Sequence, residues 1–343
     1  MQRLWRIQLL LVAAAGLACA PTDGLSPGLR SSEGTINADL RSSVVTSLVW
    51  DVRAPFLGGV RAAAATWDGS RIYVLGGNEG AASYTSANRI YNPAANTWTS
   101  GAQFTGPRDF AVAASMKDGI HMLGGAGPAG FLADHQVYQR STNSWSSRAR
   151  LPIGVDAAVA WAWEGRLYII GGASAPATPV GAVQIFNLAT NSWSFGAPMP
   201  TARLSSASAV IDGTIYVAGG QTTGVGTTAA LERYDPRSNS WTILAPMPDP
   251  REALGGGAVA GQFCVFGGRI ANPSPTGDAR PETFCYDPGS GAWTRVRDMI
   301  TARVEVASVT LDGVVYALGG RTPAAFAVGT NELLHSVRST TSP

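Results

Sequence analysis

Charge is scarce in this chain of 343 residues: only 14% are Asp, Glu, Lys or Arg, and lysine is almost absent. A nucleic-acid binder needs a basic face, and 25 cations against 23 acids do not provide one. Histidine and cysteine number three each. Copper and other transition metals ask for more nitrogen and sulfur donors converging on one point than these offer, so no metal and no cofactor are expected. No Ser-His-Asp constellation, glycine-rich phosphate loop or HExxH motif is present, and no residue is singled out as catalytic. The apolar run Ile7 to Leu17 is too short to span a bilayer as a mature helix.

Glycine, by contrast, is abundant at 41, and its placement is periodic. Double glycines fall at Gly76–Gly77, Gly124–Gly125, Gly171–Gly172, Gly219–Gly220, Gly267–Gly268 and Gly319–Gly320, in steps of 48, 47, 48, 48 and 52 residues. Trp50, Trp98, Trp145, Trp193, Trp241 and Trp293 advance by the same steps, and Tyr91, Tyr138, Phe186, Tyr234 and Tyr286 close the third run of most units. Arg203 to Trp241 shows the unit plainly: four short β-branched runs, the first two parted by Asp212–Gly213. One such unit cannot bury both faces alone. A period near ~50 with four strands per unit predicts radial blades about an axis, a β-propeller.

With its double glycine, Tyr-Asp and Trp in phase, the sequence resembles the kelch family from about residue 44 to 337. The resemblance implies an all-β fold, a six-bladed kelch-type β-propeller. Trp50 precedes any double glycine and Gly319–Gly320 has no tryptophan after it, so Val45 to Asp51 should supply the fourth strand of the last blade, the one with Tyr316. Sharing a blade between the two ends removes the exposed edges of an open array. The propeller is therefore assigned to 44–338, with a tail at 339–343.

Residues 1–19 read as an export signal: Arg3 and Arg6, the apolar run, then Ala18-Cys19. Ala15 to Cys19 resembles a bacterial lipoprotein signal, in which Cys19 would be lipidated; Gly16 departs from that pattern. Ordinary cleavage after Ala20 is the alternative, giving a periplasmic or secreted protein. Lipidation is preferred, and with no Asp after the cysteine it implies the outer membrane. Removing 1–19 leaves 23 cations and 23 acids, so no global field steers a charged partner. Residues 20–43, polar and rich in Pro, Gly and Ser, read as a flexible tether.

Cys264 and Cys285 fall on the second and third runs of one unit, where antiparallel pairing would join them in a disulfide; the alternative is two buried thiols. Arg61, Arg108, Arg203, Arg251 and Arg303 open the first run of five units, interspersed with Asp109, Asp156, Glu252 and Glu305. In kelch propellers that run begins at the loop face. Arg61, Arg108, Arg203, Arg251 and Arg303 with Glu252 and Glu305 are thus the candidate ligand site at the channel mouth, where guanidinium forks would grip an acidic ligand. The bland alternative is that each arginine ties down a loop and pairs with an acid. The loops after the double glycines, carrying Arg269 and Arg321 among others, are further candidates. His121, His135 and His335 are assigned to different blades. The favoured function is a membrane-tethered module binding a protein segment or a glycan, and not an enzyme. The alternatives are a carbohydrate-directed enzyme resembling sialic acid mutarotases, and a structural envelope component.

Overall fold

The computed structural model describes residues 44–340 apart from 82, 225 and 271–278. Six four-stranded antiparallel sheets carry the fold. Their inner strands are Ala64–Trp67, Val112–Met116, Val159–Trp163, Ala207–Ile211, Glu252–Val259 and Ala307–Leu311, numbered here as blades 1 to 6. Each neighbours the next and the last neighbours the first, so the ring is closed. This is an all-β, six-bladed β-propeller.

Blade 6 is built from both ends of the chain. Val44–Arg53 pairs with Asn331–Thr340, which pairs with Val314–Leu318 and then Ala307–Leu311. Trp50 stands opposite Leu334 and Val49 opposite His335, on the sheet that holds Tyr316. Trp50 is buried, meets Phe266 of blade 5 edge-on at 4.9 Å and donates to Thr283 Oγ1 at 3.2 Å. Burying such a ring is worth about 3 kcal/mol, spent here on locking the closing strand to its neighbour. The final strand runs to Thr340, two residues past the expected boundary at 338. The signal 1–19 with Cys19, the tether 20–43 and residues 341–343 lie outside the described residues.

The repeat markers do identical work in successive blades. Tyr91, Tyr138 and Tyr234 donate their hydroxyls to Asn96, Asn143 and Asn239, five residues on. Those asparagines are left-handed at φ 48° to 53°, turning the third strand into the outer one. Their side-chain oxygens also accept the backbone N–H of Ala54, Ala102 and Ala197. The outer-strand indoles of Trp98, Trp145, Trp193 and Trp241 donate to the carbonyls of Ala54, Ala102, Ala149 and Ala197. Blade therefore holds blade through one aromatic pair and one amide. The double glycine works from the inner side. Gly76 and Gly77 lie at φ 65° and 95°, and Gly77 N–H donates to the Arg108 carbonyl of the next blade at 2.8 Å. A Cβ on Gly76 would stand 2.6 Å from that same oxygen, so no side chain fits.

Cys264 and Cys285 face each other on the second and third strands of blade 5 and are joined by a disulfide. Hydrophobic cores fill the spaces between blades; Leu123 and Val155, for example, pack with Leu167, Ile169 and Phe186 between blades 2 and 3.

Candidate active site at the channel mouth

One residue before or at the start of each inner strand adopts a left-handed backbone: Ala62, Phe110, Ala157, Ser205, Ala253 and Glu305, at φ 49° to 57°. None is glycine, so each carries strain that the surroundings must hold. The holding is mutual. Each of these N–H groups donates to the carbonyl of its counterpart in the preceding blade at 2.8–3.0 Å, and Ala62 closes the circle on Glu305. This six-membered backbone collar frames a cavity of about 110 Å³. Below it runs a channel of about 310 Å³, lined mostly by Ala, Ser and Thr with Trp67 and Trp161, and by no ionisable side chain.

The charge sits just outside the collar. One residue earlier in each blade come Arg61, Asp109, Asp156, Leu204, Glu252 and Val304, paired through the backbone with Asn78, Ala126, Ala173, Gln221, Arg269 and Arg321, the residues following the double glycines. Side chains at both positions are therefore fixed by main-chain geometry rather than by loop packing. Glu305 takes Arg61 Nη1 at 2.5 Å and lies 3.5 Å from Arg321 Nε. The Arg61 guanidinium also stacks on Phe326, 4.4 Å from the ring centre, and Phe326 keeps 42% of its surface exposed. On blade 5, next to blade 6, Glu252 accepts from Arg269 at 2.8 Å.

Next round the ring from Arg61, on blades 2 and 3, stand Asp109 and Asp156. Burial pushes the Asp109 carboxyl up to about 6, against the pull of Asn78 and Arg61. Burial and then the charge of Asp109 push Asp156 up to about 7. Asp156 Oδ1 has no hydrogen-bond partner. Two carboxyls in one electrostatic field, with affinities near neutrality, can hold one proton between them at pH 7. That is the proton inventory of a general acid beside a general base.

The expected ring of five arginines is not what the fold builds. Arg108, Arg203, Arg251 and Arg303 are buried to within 2%, and each is occupied. Arg203 pairs with Glu232 at 2.7 Å and Arg303 with Glu332 at 3.1 Å, both pairs wholly interior. Arg108 donates to the carbonyls of Thr105, Gly106 and Gly124, and Arg251 to Asp249 and the carbonyls of Gly267 and Glu282. These four fasten blades and take no ligand. Arg61 is not their equivalent. The carbonyl that accepts the second glycine's N–H belongs to Arg108, Val155, Arg203, Arg251 and Arg303, and in blade 1 to Val60. Arg61 is one residue further on, in register with Asp109 and Asp156, and it alone of the five reaches the mouth. Glu252 and Glu305 are at the mouth as expected, each ion-paired. Sequence reasoning treated Asp109 and Asp156 as mere neutralisers of arginine and passed over Asn78 and Phe326; a lone aromatic in an Ala/Thr loop was the available signal. The histidines also redistribute: His121 and His135 share blade 2. Among the described residues no group of three or more His, Cys, Asp or Glu side chains converges as a metal site.

Fold and mouth together define a six-bladed β-propeller with a strained backbone collar and a carboxyl-rich loop face. Residues 72–327 match the Attractin/LZTR1 β-propeller model, and the chain belongs to that family. It is also similar to the solved structure of YjhT, with a TM-score of 0.73 and 18% identity over 84% of this chain and 100% of that one. The likeness shows a shared fold over the whole of YjhT. The expectation that the chain is not an enzyme is corrected on this likeness.

Proposed function

We propose that the chain is a carbohydrate-directed enzyme of the mutarotase type on a kelch-type propeller, interconverting the anomers of an acidic sugar at its loop face. The observation that carries this is the Asp109–Asp156 pair, poised at about 6 and about 7. Mutarotation needs a base to take the anomeric hydroxyl proton and an acid to protonate the ring oxygen as the ring bond breaks. The open carbonyl turns, and the same two groups run the steps in reverse, so no proton is gained or lost. Asp109, the lower of the two, serves as base and Asp156 as acid. Arg61, pinned by Glu305 and Phe326, presents its guanidinium plane to the sugar carboxylate. The YjhT-like architecture supports this reading over a generic binding module. The export signal and Cys19 anchor remain part of the proposal, placing the enzyme in the cell envelope.

The test is exchange NMR on sialic acid, with and without the purified protein. Catalysed exchange between α and β anomers that is lost in Asp156→Asn supports the proposal. If exchange stays at the uncatalysed rate while the sugar binds, the loop face is a binding site and not an active site.

A further inference from the structure

Three contacts run in series through blade 2, away from the channel mouth. Asp118 Oδ1 lies 2.7 Å from His121 Nε2, His121 Nδ1 lies 2.7 Å from His135 Nε2, and His135 Nδ1 lies 3.1 Å from the Ala149 carbonyl oxygen. Both ends of the series are acceptors, a carboxylate and a carbonyl, so each contact needs a proton of its own. Two neutral imidazoles bring two protons to three contacts. Whichever tautomers are drawn, one contact sets acceptor against acceptor.

The surroundings decide where the shortfall falls. Both imidazoles are buried, at 0% and 1% exposure. Besides Asp118, the charged group facing them is Arg148, whose Nη2 lies 3.0 Å from Asp118 Oδ2. Blade 3 presents only aromatic rings, Phe186 at 4.7 Å and Trp193 at 5.9 Å from the His135 ring. Ionised Asp118, held low by His121 and Arg148 against burial, draws a proton onto His121 Nε2. His121 Nδ1 then accepts from His135 Nε2, and the unprotonated contact is the longest one, at Ala149. That carbonyl is already served by the Trp193 indole at 2.9 Å. Burial pulls both imidazoles below the ordinary histidine range, His135 to about 3 with the help of His121. Asp118 lines an open cleft of about 380 Å³, so protons reach the series from solvent.

We propose that Asp118, His121 and His135 form an acid-sensitive latch in blade 2: one proton short at neutral pH, it cannot take up a third while buried beside Arg148, so on acidification the proton goes to the opened blade and favours opening. The latch belongs to this blade alone. The other blades hold Tyr73, Tyr168, Tyr216, Cys264 and Tyr316 at the His121 position, and Asn88, Val183, Leu231, Thr283 and Asn331 at that of His135. A histidine lowered on folding contributes stability above its unfolded pKa of 6.5 and loses it as pH falls.

Hydrogen exchange of the intact protein tests this. Corrected for intrinsic rates, the opening equilibrium of Gly119–Leu123 and His135–Gln139 should rise from about pH 7 to about pH 5 by about 25-fold for each imidazole that gains its proton only on opening, about 600-fold for the two together. Thr214–Ala218 in blade 4 should not follow it. His121→Tyr with His135→Val, the pair blade 3 carries as Tyr168 and Val183, should abolish the difference. An unchanged pH response in that variant overturns the latch. Should the variant fail to fold, ¹⁵N-histidine NMR of the wild type decides: both imidazoles neutral at about pH 5 support it, and ordinary titration of both near 6.5 refutes it. None of these readouts depends on the loop-face site being an enzyme.

Discussion

Replacing Asp156 by asparagine should stabilise the protein at alkaline pH and inactivate it at once. In the folded protein the carboxyl is held up to about 7 against an ordinary 3.8. Between those values the folded state holds a proton that the unfolded chain has released, so the protein grows less stable as pH rises through this window, and the penalty of ionising this carboxyl is fully developed above about 7. Ionising a group raised that far costs on the order of 4 kcal/mol, and sharing the cost with Asp109 brings the expected gain for Asp156→Asn to about 2–4 kcal/mol at about pH 8. Near about pH 4, where both versions are neutral, the two proteins should melt together. Calorimetric scans at the two pH values read this directly, with a difference of several degrees expected only at the higher one. Wild-type anomer exchange should in turn be fastest between about 6 and about 7, where one of the pair is protonated. A variant destabilised at about pH 8, or equally shifted at both pH values, refutes the claim that Asp156 is a carboxyl kept neutral by burial.

The remaining expectations concern the cations and the disulfide. Arg61→Met should raise KM for the acidic sugar about 10- to 100-fold with little change in kcat, because it removes a contact made to ground and transition state alike; steady-state exchange rates at varied sugar concentration measure it. Arg303→Met leaves Glu332 buried without its cation and should cost about 3–5 kcal/mol in urea unfolding. Adding Glu332→Leu should recover only part of that, since the carbonyls of Ala317, Gly319 and Thr330 still lack their donor; full recovery would show that the backbone contacts contribute nothing. Replacing Cys264 and Cys285 by serine opens a crosslink spanning 21 residues and should lower stability by about 3 kcal/mol on the chain-entropy account, read as a shift in denaturation midpoint absent when the wild type is fully reduced.

The six blades and their closure were legible because each marker repeats for a mechanical reason. Trp98, Trp145, Trp193 and Trp241 all reach the same carbonyl position, and a contact made that often imposes a strict period on the sequence. The mouth was half legible. Glu252 and Glu305, and the loop residues Arg269 and Arg321, could be placed on the loop face from the phase of the repeat. What failed was the register of Arg61. Counting arginines at the head of each run puts Arg61 with Arg108, whereas the glycine N–H that seeks the Val60 carbonyl puts it one residue on. In this segment one residue separates an interior fastener from a mouth group, and no pattern of apolar residues resolves it. The perturbed carboxyls were invisible for another reason: their state depends on burial and on each other across two blades, which spacing alone does not encode.

Two of the three site residues, Arg61 and Asp156, lie where the repeat is broken. Blades 2, 4, 5 and 6 keep the interior arginine, and blades 1 and 3 put Val60 and Val155 there, buried to within 2%. Those two blades flank Asp109 and carry Arg61 and Asp156 at the next residue, where blades 2 and 5, which keep the arginine, carry Asp109 and Glu252. Consistency among the four arginines specifies a scaffold, and departures from it are where a protein spends stability on something else. Asp156 shows the consequence. No cation contributes to its titration; burial raises it and Asp109 raises it further. A guanidinium placed beside it would hold the carboxyl ionised and leave no proton to donate at neutral pH. Asp156 has no cation beside it, and burial together with the charge of Asp109 therefore keeps its proton near neutral pH.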